Sequence, residues 1–375
     1  MNKLSITLLI VVYINVLSND EEILITKNFT EEIRQKVSWE VIDFELNPFN
    51  SYTMLQLKKM LLRTPATINY SEKKDIFTNK FEESVIGLNH PYSKSSEISD
   101  DSLHFEKHAE INKYQNYRKY KNDIEISSLN SHPFFSHYSK RYSYKNINKN
   151  FYENIPQNYD YRQLWPNCIF PIKSQGLCGG CYAIAFASMM SNRYCILTNE
   201  RIEVSSQDII SCDLRNYGCS GGYVEAIIQY SQNEGIVSAN CKKYSSENGR
   251  DYHCNSQCDD GTFPKFRFGC MDFKVLRSES EIKNEILQNG PIIQYILVYS
   301  DLFLYSSGIY HHVGGYFLGH HLVKIIGFGI EQSRKYYLIE NSWGESYGMG
   351  GYLKVQSEDP ILKTILPMSC IPYMF

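Results

Sequence analysis

The first 167 residues of this 375-residue chain contain no cysteine, yet the chain has eleven, all between Cys168 and Cys370. Disulfide or thiol chemistry is therefore confined to the C-terminal part. Charge of one sign is also missing. The 38 Lys and Arg against 41 Asp and Glu leave a formal net charge of -3, which gives no basic footprint for nucleic acid and no acidic tail. No long apolar run is present either. The stretch from Leu4 to Leu17 falls short of the roughly 20 residues that cross a bilayer. Following Met1-Asn2-Lys3, it reads as a secretory signal peptide over residues 1-18, with no membrane attachment after its removal. Residues 66-154 lack aliphatic runs as well as cysteine; Asn, Lys, Ser and Tyr dominate there. Such a segment buries too little apolar surface to offset chain entropy. Its tyrosines argue against complete disorder, so it is expected to be a loosely ordered extension.

What is present centres on Lys173-Ser174-Gln175-Gly176-Leu177-Cys178-Gly179-Gly180-Cys181-Tyr182-Ala183. Cys181 opens an apolar run of helical character. A thiol at a helix N-terminus lies at the positive end of the helix dipole, which favours the nucleophilic thiolate. The Gln175 amide and the Cys181 main-chain N–H are placed to stabilise an oxyanion. The C-x-x-C spacing also suits a disulfide or a zinc site. Two further residues favour the nucleophile: His321 and Asn341, 140 and 160 positions after Cys181. A histidine serves as base and acid near neutral pH. An asparagine bonded to its far nitrogen fixes the tautomer.

These motifs resemble those of papain-like cysteine proteases, in which a C-G-[SA]-C-[WY] element precedes the histidine and asparagine by about 130-150 residues. Gly218-Cys219-Ser220-Gly221-Gly222-Tyr223, Tyr299-Ser300-Asp301 and Ser307-Gly308-Ile309-Tyr310 narrow the resemblance to cathepsin B-like members. It runs from about Ile155 to the C-terminus. The resemblance implies an α+β fold of two parts, one helical and one a sheet or barrel, with the cleft between them. It implies a site of Cys181, His321, Asn341 and Gln175, with Trp343 covering the His–Asn bond. His320 competes for the base role, but the spacing from His321 through Leu322-Val323 to Gly327 fits the family count. His311 and His312 read as surface loop residues. Gly221 and Gly222 are the edge where a substrate strand would pair, although a simple turn also accounts for them. Pro367 and Met368 would wall an apolar pocket for the second residue before the scissile bond. The disulfides implied are Cys168–Cys195, Cys178–Cys219, Cys212–Cys254 and Cys241–Cys258, with Cys270–Cys370 the leftover pair. Tyr182 and Leu322 depart from the usual Trp and small residue.

In chain order, residues 1-18 are expected as the signal, 19-154 as a propeptide whose inhibitory part is 27-65, and 155-375 as the peptidase domain. Trp39, Asn47, Phe49 and Leu57 are the expected propeptide anchors. Asn28 and Asn69 open glycosylation sequons. Helices are expected from Cys181 to Thr198, from Ser206 to Ser211 after a Ser205 cap, and from Tyr223 to Glu234. Strands are expected at 291-299, 321-328, 335-340 and 351-355. The function implied is a secreted or endolysosomal cysteine endopeptidase made as a zymogen. It would use no cofactor or metal and take peptide or protein substrates. Its own propeptide would inhibit it, as would cystatin-like proteins. The closing loop that lets cathepsin B-like enzymes release dipeptides has no counterpart in the short stretch from Cys241 to Cys254. Two other readings use the same site: a papain-fold binding protein without activity, and a peptide ligase. A binding protein would most simply have lost its nucleophile.

Overall fold

The computed structural model describes residues 20-62, 155-363 and 365-375. The signal at 1-18, the extension at 66-154 and the sequon at Asn69 lie outside the described residues. The first described stretch begins with α1 (Lys27–Arg34), whose first turn is capped by the Thr26 hydroxyl accepting from Phe29 N at 3.1 Å. It continues through β1 (Glu40–Val41) to α2 (Met54–Lys59). Thr53 and Gln56 close the start of α2 reciprocally, side chain to main chain in both directions, so two orphan amides are satisfied.

After β2 (Tyr159–Asp160) and the short α3 (Tyr161–Leu164) comes α4 (Cys181–Thr198). Residues 181 to 187 and 189 to 195 of α4 are all buried. Up to Cys195 the helix has almost no solvent-facing side because it is packed between the helical and sheet clusters. Asn199 ends it in the left-handed region, at φ 62°, where asparagine is tolerated. The next helix, α5 (Ser206–Cys212), is capped by Ser205 Oγ accepting from Asp208 N at 3.0 Å. With α6 (Val224–Asn233) it completes the helical side.

The sheet side follows: β3 (Phe268–Val275), α7 (Glu279–Asn289), β4 (Ile292–Tyr299), β5 (Tyr305–Ser307), β6 (Ile309–Tyr310), β7 (Phe317–Glu331), β8 (Arg334–Glu340), β9 (Tyr352–Gln356) and β10 (Met368–Met374). The main sheet runs β3-β10-β4-β7-β8-β9-β6, with β2 added on β7, and a separate pair joins β1 to β5. The pairings are antiparallel except for β6 on β9. This is an α+β architecture. One apolar cluster fills the sheet side and another surrounds α4, α5 and α6.

Several elements exceed the expected spans. β7 extends well beyond residues 321-328 because it pairs with β4 over its first half and with β8 over its second. α7 carries Glu279, Glu281, Lys283 and Glu285, so its apolar stripe of Ile282 and Ile286 is too thin to stand out as a period. β10 is buried over Met368 to Ile371 and therefore lacks the alternation that marks a half-exposed strand.

The five cysteine pairs Cys168–Cys195, Cys178–Cys219, Cys212–Cys254, Cys241–Cys258 and Cys270–Cys370 are disulfides. Cys181 is free and buried. Removing the Cys168–Cys195 bridge with paired alanines is expected to cost roughly 2–5 kcal/mol of stability, read as a lowered unfolding midpoint. Non-reducing peptide mapping of the mature chain should find Cys181 unbridged.

Candidate active site

Gln175 is fixed from three sides. Its main-chain N–H donates to Ser342 O at 2.8 Å and its Oε1 accepts from Ser342 Oγ at 2.7 Å. Its main-chain carbonyl accepts from Tyr244 Oη at 2.8 Å. With Oε1 occupied, the amide nitrogen points into the site. Gly176 permits the turn that follows: its φ is +59°, and a Cβ there would lie 2.1 Å from Glu247 O. Leu177 N donates to the same Glu247 carbonyl at 2.8 Å. The stretch between Cys241 and Cys254 thus braces the turn that carries Gln175, and its His253 is exposed.

Cys181 is the first residue of α4, and Cys178 three residues earlier is bonded to Cys219. The C-x-x-C spacing is therefore not a two-cysteine unit. Among the described residues no group of three His, Cys, Asp or Glu is arranged to hold a metal ion. Cys181 and Leu322, the residue after His321 on β7, are fully buried in the same apolar cluster, which brings the thiol side of α4 against this strand.

His321 is fully buried on β7, and its Nε2 lies 2.7 Å from Asn341 Oδ1. That oxygen also accepts from Ser342 N at 2.8 Å. An oxygen receiving both groups requires the proton on Nε2, so Nδ1 is the basic nitrogen. Nδ1 is buried and has no hydrogen-bond partner. The Trp343 ring stacks on His321 with centroids 4.9 Å apart, which shields the His–Asn bond from water.

Burial sets the charge state. It pushes the Cys181 thiol up to about 12, against weaker help from the Leu322, Tyr182 and Cys181 main chain. It drives His321 down to about 4, although the Asn341 bond favours the charged ring. In this closed state the pair is thiol and neutral imidazole. Neither charge has solvent to support it in this closed state.

The N-terminal stretch lies over this site and adds to that burial. Gln175 Nε2 donates to Met60 O at 2.6 Å and to Cys178 O at 2.8 Å. Leu62 N donates to His320 O at 2.8 Å, and His320 N donates back to Leu62 O at 3.4 Å. Two glycines clear the passage. A Cβ on Gly179 would lie 3.1 Å from Lys59 O, and one on Gly319 3.2 Å from Leu62 O.

Upstream residues anchor the stretch. Trp39 Nε1 donates to His311 O at 3.1 Å, and Asn47 Nδ2 donates to Phe303 O at 3.0 Å. Phe49 meets Phe303 and Trp343 edge-on at 4.9 and 5.8 Å, and Leu57 is fully buried.

The remaining expected residues fall as follows. Gly221 and Gly222 are buried, and among the described residues neither has a main-chain bond to residues 20-62; Gly221 O accepts from Tyr217 N at 3.0 Å. A Cβ on Gly222 would meet the Tyr182 ring at 2.5 Å, so the departure at Tyr182 and this glycine are coupled. Tyr182 Oη donates to Gly218 O at 3.1 Å. Met368 and Leu322 are fully buried and share an apolar cluster with Cys181 and Leu62. Pro367 is buried, its carbonyl accepting from Leu276 N at 2.9 Å. His320 is half-buried beside Phe317.

His311 and His312 lie in the loop after β6 and are half-buried. His312 stacks on Tyr299 at 3.8 Å and pairs at 3.1 Å with the fully buried Asp301 carboxylate, which raises its pKa. The buried acid gives an otherwise polar loop a reason to fold inward. Sequence reasoning missed Ser342 and Tyr244. Ser342 stands inside the Asn341–Trp343 motif and was a legible candidate; Tyr244 had no local signal.

Comparison with known proteins agrees with this geometry. A family profile described as papain family cysteine protease matches residues 155–365. Cathepsin B-like cysteine proteinase 3 of Caenorhabditis elegans is 34% identical over 235 residues, 54% of this chain and 62% of that protein. The chain thus spans under two thirds of that relative's length. The gut-specific cysteine proteinase of the same organism is 32% identical over 229 residues, 55% of this chain and 70% of that protein. A solved structure of procathepsin B S9 from Trypanosoma congolense shares the fold, with a TM-score of 0.66 at 23% identity over 94% of this chain and all of that one. The chain belongs to the papain family of cysteine proteases, on its cathepsin B-like branch.

Proposed function

We propose that the chain is the zymogen of a cysteine endopeptidase that travels the secretory route to an acidic vacuole or the extracellular space. Residues 19-154 act as its propeptide and 155-375 as its peptidase domain, after removal of a signal at 1-18. One observation carries this reading: the Met60 peptide carbonyl accepts from the Gln175 amide beside Cys181. A peptide carbonyl in that position is where a substrate carbonyl would receive the sulfur.

In the released site His321 Nδ1 takes the Cys181 proton. The thiolate adds to the scissile carbonyl carbon, and the oxyanion is held by Gln175 Nε2 and the Cys181 N–H. The imidazolium then protonates the leaving amine, giving the free amine and a thioester on Cys181. Water, deprotonated by His321, hydrolyses the thioester to the carboxylic acid and regenerates the thiol. Met60 escapes this sequence because its own chain desolvates the pair and leaves the sulfur protonated.

Substrate strands would pair along Gly221 and Gly222 once the propeptide leaves, and the apolar cluster that takes Leu62 would take an apolar side chain. Asn28, exposed on α1, remains available for glycosylation. A non-catalytic binding role would not need Gln175, Ser342, Asn341 and His321 joined in one hydrogen-bonded set.

The pH dependence has a definite sign. His321 has a depressed pKa in the closed state, about 4 against the ordinary 6.5. Its contribution to closure is complete above pH 6.5 and is lost as pH falls toward 4. Propeptide release should therefore accelerate across that window, measured as the rate of Cys181 alkylation by iodoacetamide in the intact chain. His321→Ala should flatten the response.

His321→Ala should lower kcat on the order of 10² to 10⁴-fold in the processed enzyme, while His320→Ala has a much smaller effect. Equal losses would reassign the base. Cys181→Ser should abolish peptide hydrolysis.

The stretch between Cys241 and Cys254 braces the Gln175 turn, and with one histidine and no internal cysteine pair it is too short to close over a terminal carboxylate. Cleavage should accordingly be endopeptidic. Matched peptides, one free-acid two residues past the scissile bond and one extended and amidated, should be cut comparably. Dominant release of C-terminal dipeptides would overturn this expectation.

A further inference from the structure

Lys324 and Glu340 form a buried ion pair that the reaction above does not use. Lys324 Nζ lies 2.7 Å from Glu340 Oε1, and both side chains are more than nine-tenths buried. Lys324 Nζ also donates to Ser188 Oγ at 2.6 Å and to Asn192 Oδ1, both on α4. Ser188 Oγ in turn donates to Glu340 Oε1 at 3.3 Å. Replacing a buried ion pair with apolar groups often leaves stability unchanged or raised, so stability alone is a weak reason for this arrangement.

The location supplies a better one. Lys324 and Glu340 face each other at the end of the β7–β8 ladder. β8 ends at that rung, while the part of β7 before it, residues 317–323, pairs among the described strands with β4 alone. Three residues back along β7 stands His321, and the residue after Glu340 is Asn341. The helix the pair grips, α4, begins with Cys181. One cluster thus pins the fork that carries the imidazole and its amide partner to the helix that carries the thiol.

We propose that Lys324 and Glu340 are positioning residues that keep His321 and Asn341 in register with Cys181. The inference rests on the peptidase reading above. Its consequence follows from the short range of proton transfer: misplacing reacting groups by about 1 Å costs on the order of 10²-fold in rate. Neither residue touches substrate, so substrate affinity should be little changed.

The experiment compares processed wild type, K324R and the double variant K324M/E340L. The double variant removes both charges together and so leaves no unpaired buried ion. Its melting temperature should stay near wild type, its kcat should fall about tenfold or more, and its KM should change less than about twofold. K324R, which keeps the charge and the reach to α4, should retain most of kcat. A second readout does not require turnover: the pH profile of Cys181 alkylation. In wild type the reactive thiolate should persist into the acid range; in the double variant that limb should move toward the ordinary thiol range.

A double variant with wild-type kcat and an unchanged alkylation profile would overturn the proposal. If the double variant does not fold, E340Q is judged by the same two readouts and the same criteria. A wild type that alkylates at acid pH yet cleaves no peptide would instead count against the peptidase reading. The displaced profile in the variant would still decide the role of the pair.

Discussion

One oxygen, Asn341 Oδ1, sets the chemistry of the site. It accepts from both His321 Nε2 and Ser342 N, which fixes which imidazole nitrogen carries the proton and leaves Nδ1 as the base. Ser342 then passes the constraint on. Its hydroxyl holds Gln175 Oε1 and its carbonyl holds Gln175 N, so the oxyanion donor and the histidine are oriented by consecutive residues. Trp343, next in sequence, shields the whole set. Three adjacent residues at the end of β8 therefore govern groups drawn from β7 and from the turn before α4.

The N-terminal stretch uses the same geometry against itself. Phe49 covers Trp343, Met60 occupies the Gln175 amide, and Leu62 adds a short antiparallel rung to His320. Each contact is ordinary in strength, since a single hydrogen bond contributes on the order of 1 kcal/mol net. Their joint effect is electrostatic. By excluding water they move the thiol and the imidazole in opposite directions and keep both uncharged. The closed state is thus poised against acid through His321, a single buried group.

Much of this was legible in the sequence because chemistry compresses into motifs. Cys181, His321 and Asn341 each sit in a short run whose neighbours have local reasons for being there. Gly176 must adopt a positive φ, and Ser342 must reach back to Gln175. The Cys181–Thr198 helix was legible because it opens on an unbroken apolar run from Cys181 to Ala187. Other features depended on contacts far apart in the chain. α7 hides its two core isoleucines among charges. β10 is buried without alternation. The inward fold of His312 requires Asp301, and the bracing of Gln175 by Tyr244 requires a segment 69 residues away. Lys324 and Glu340 look like surface charges in a strand until the β7–β8 register puts them opposite each other under α4.

The central claim is that the propeptide blocks Cys181 by occupying the Gln175 amide and desolvating the catalytic pair. Its most direct test is labelling with a peptidyl epoxide. Chain from which residues 1-154 have been cut should take one adduct, on Cys181, and none after Cys181→Ala. A peptide of residues 20-62 added back should suppress that adduct, and suppress it less as the pH falls toward 4. Labelling of the intact chain at neutral pH as fast as the cut one, or an adduct on another residue, would contradict the account.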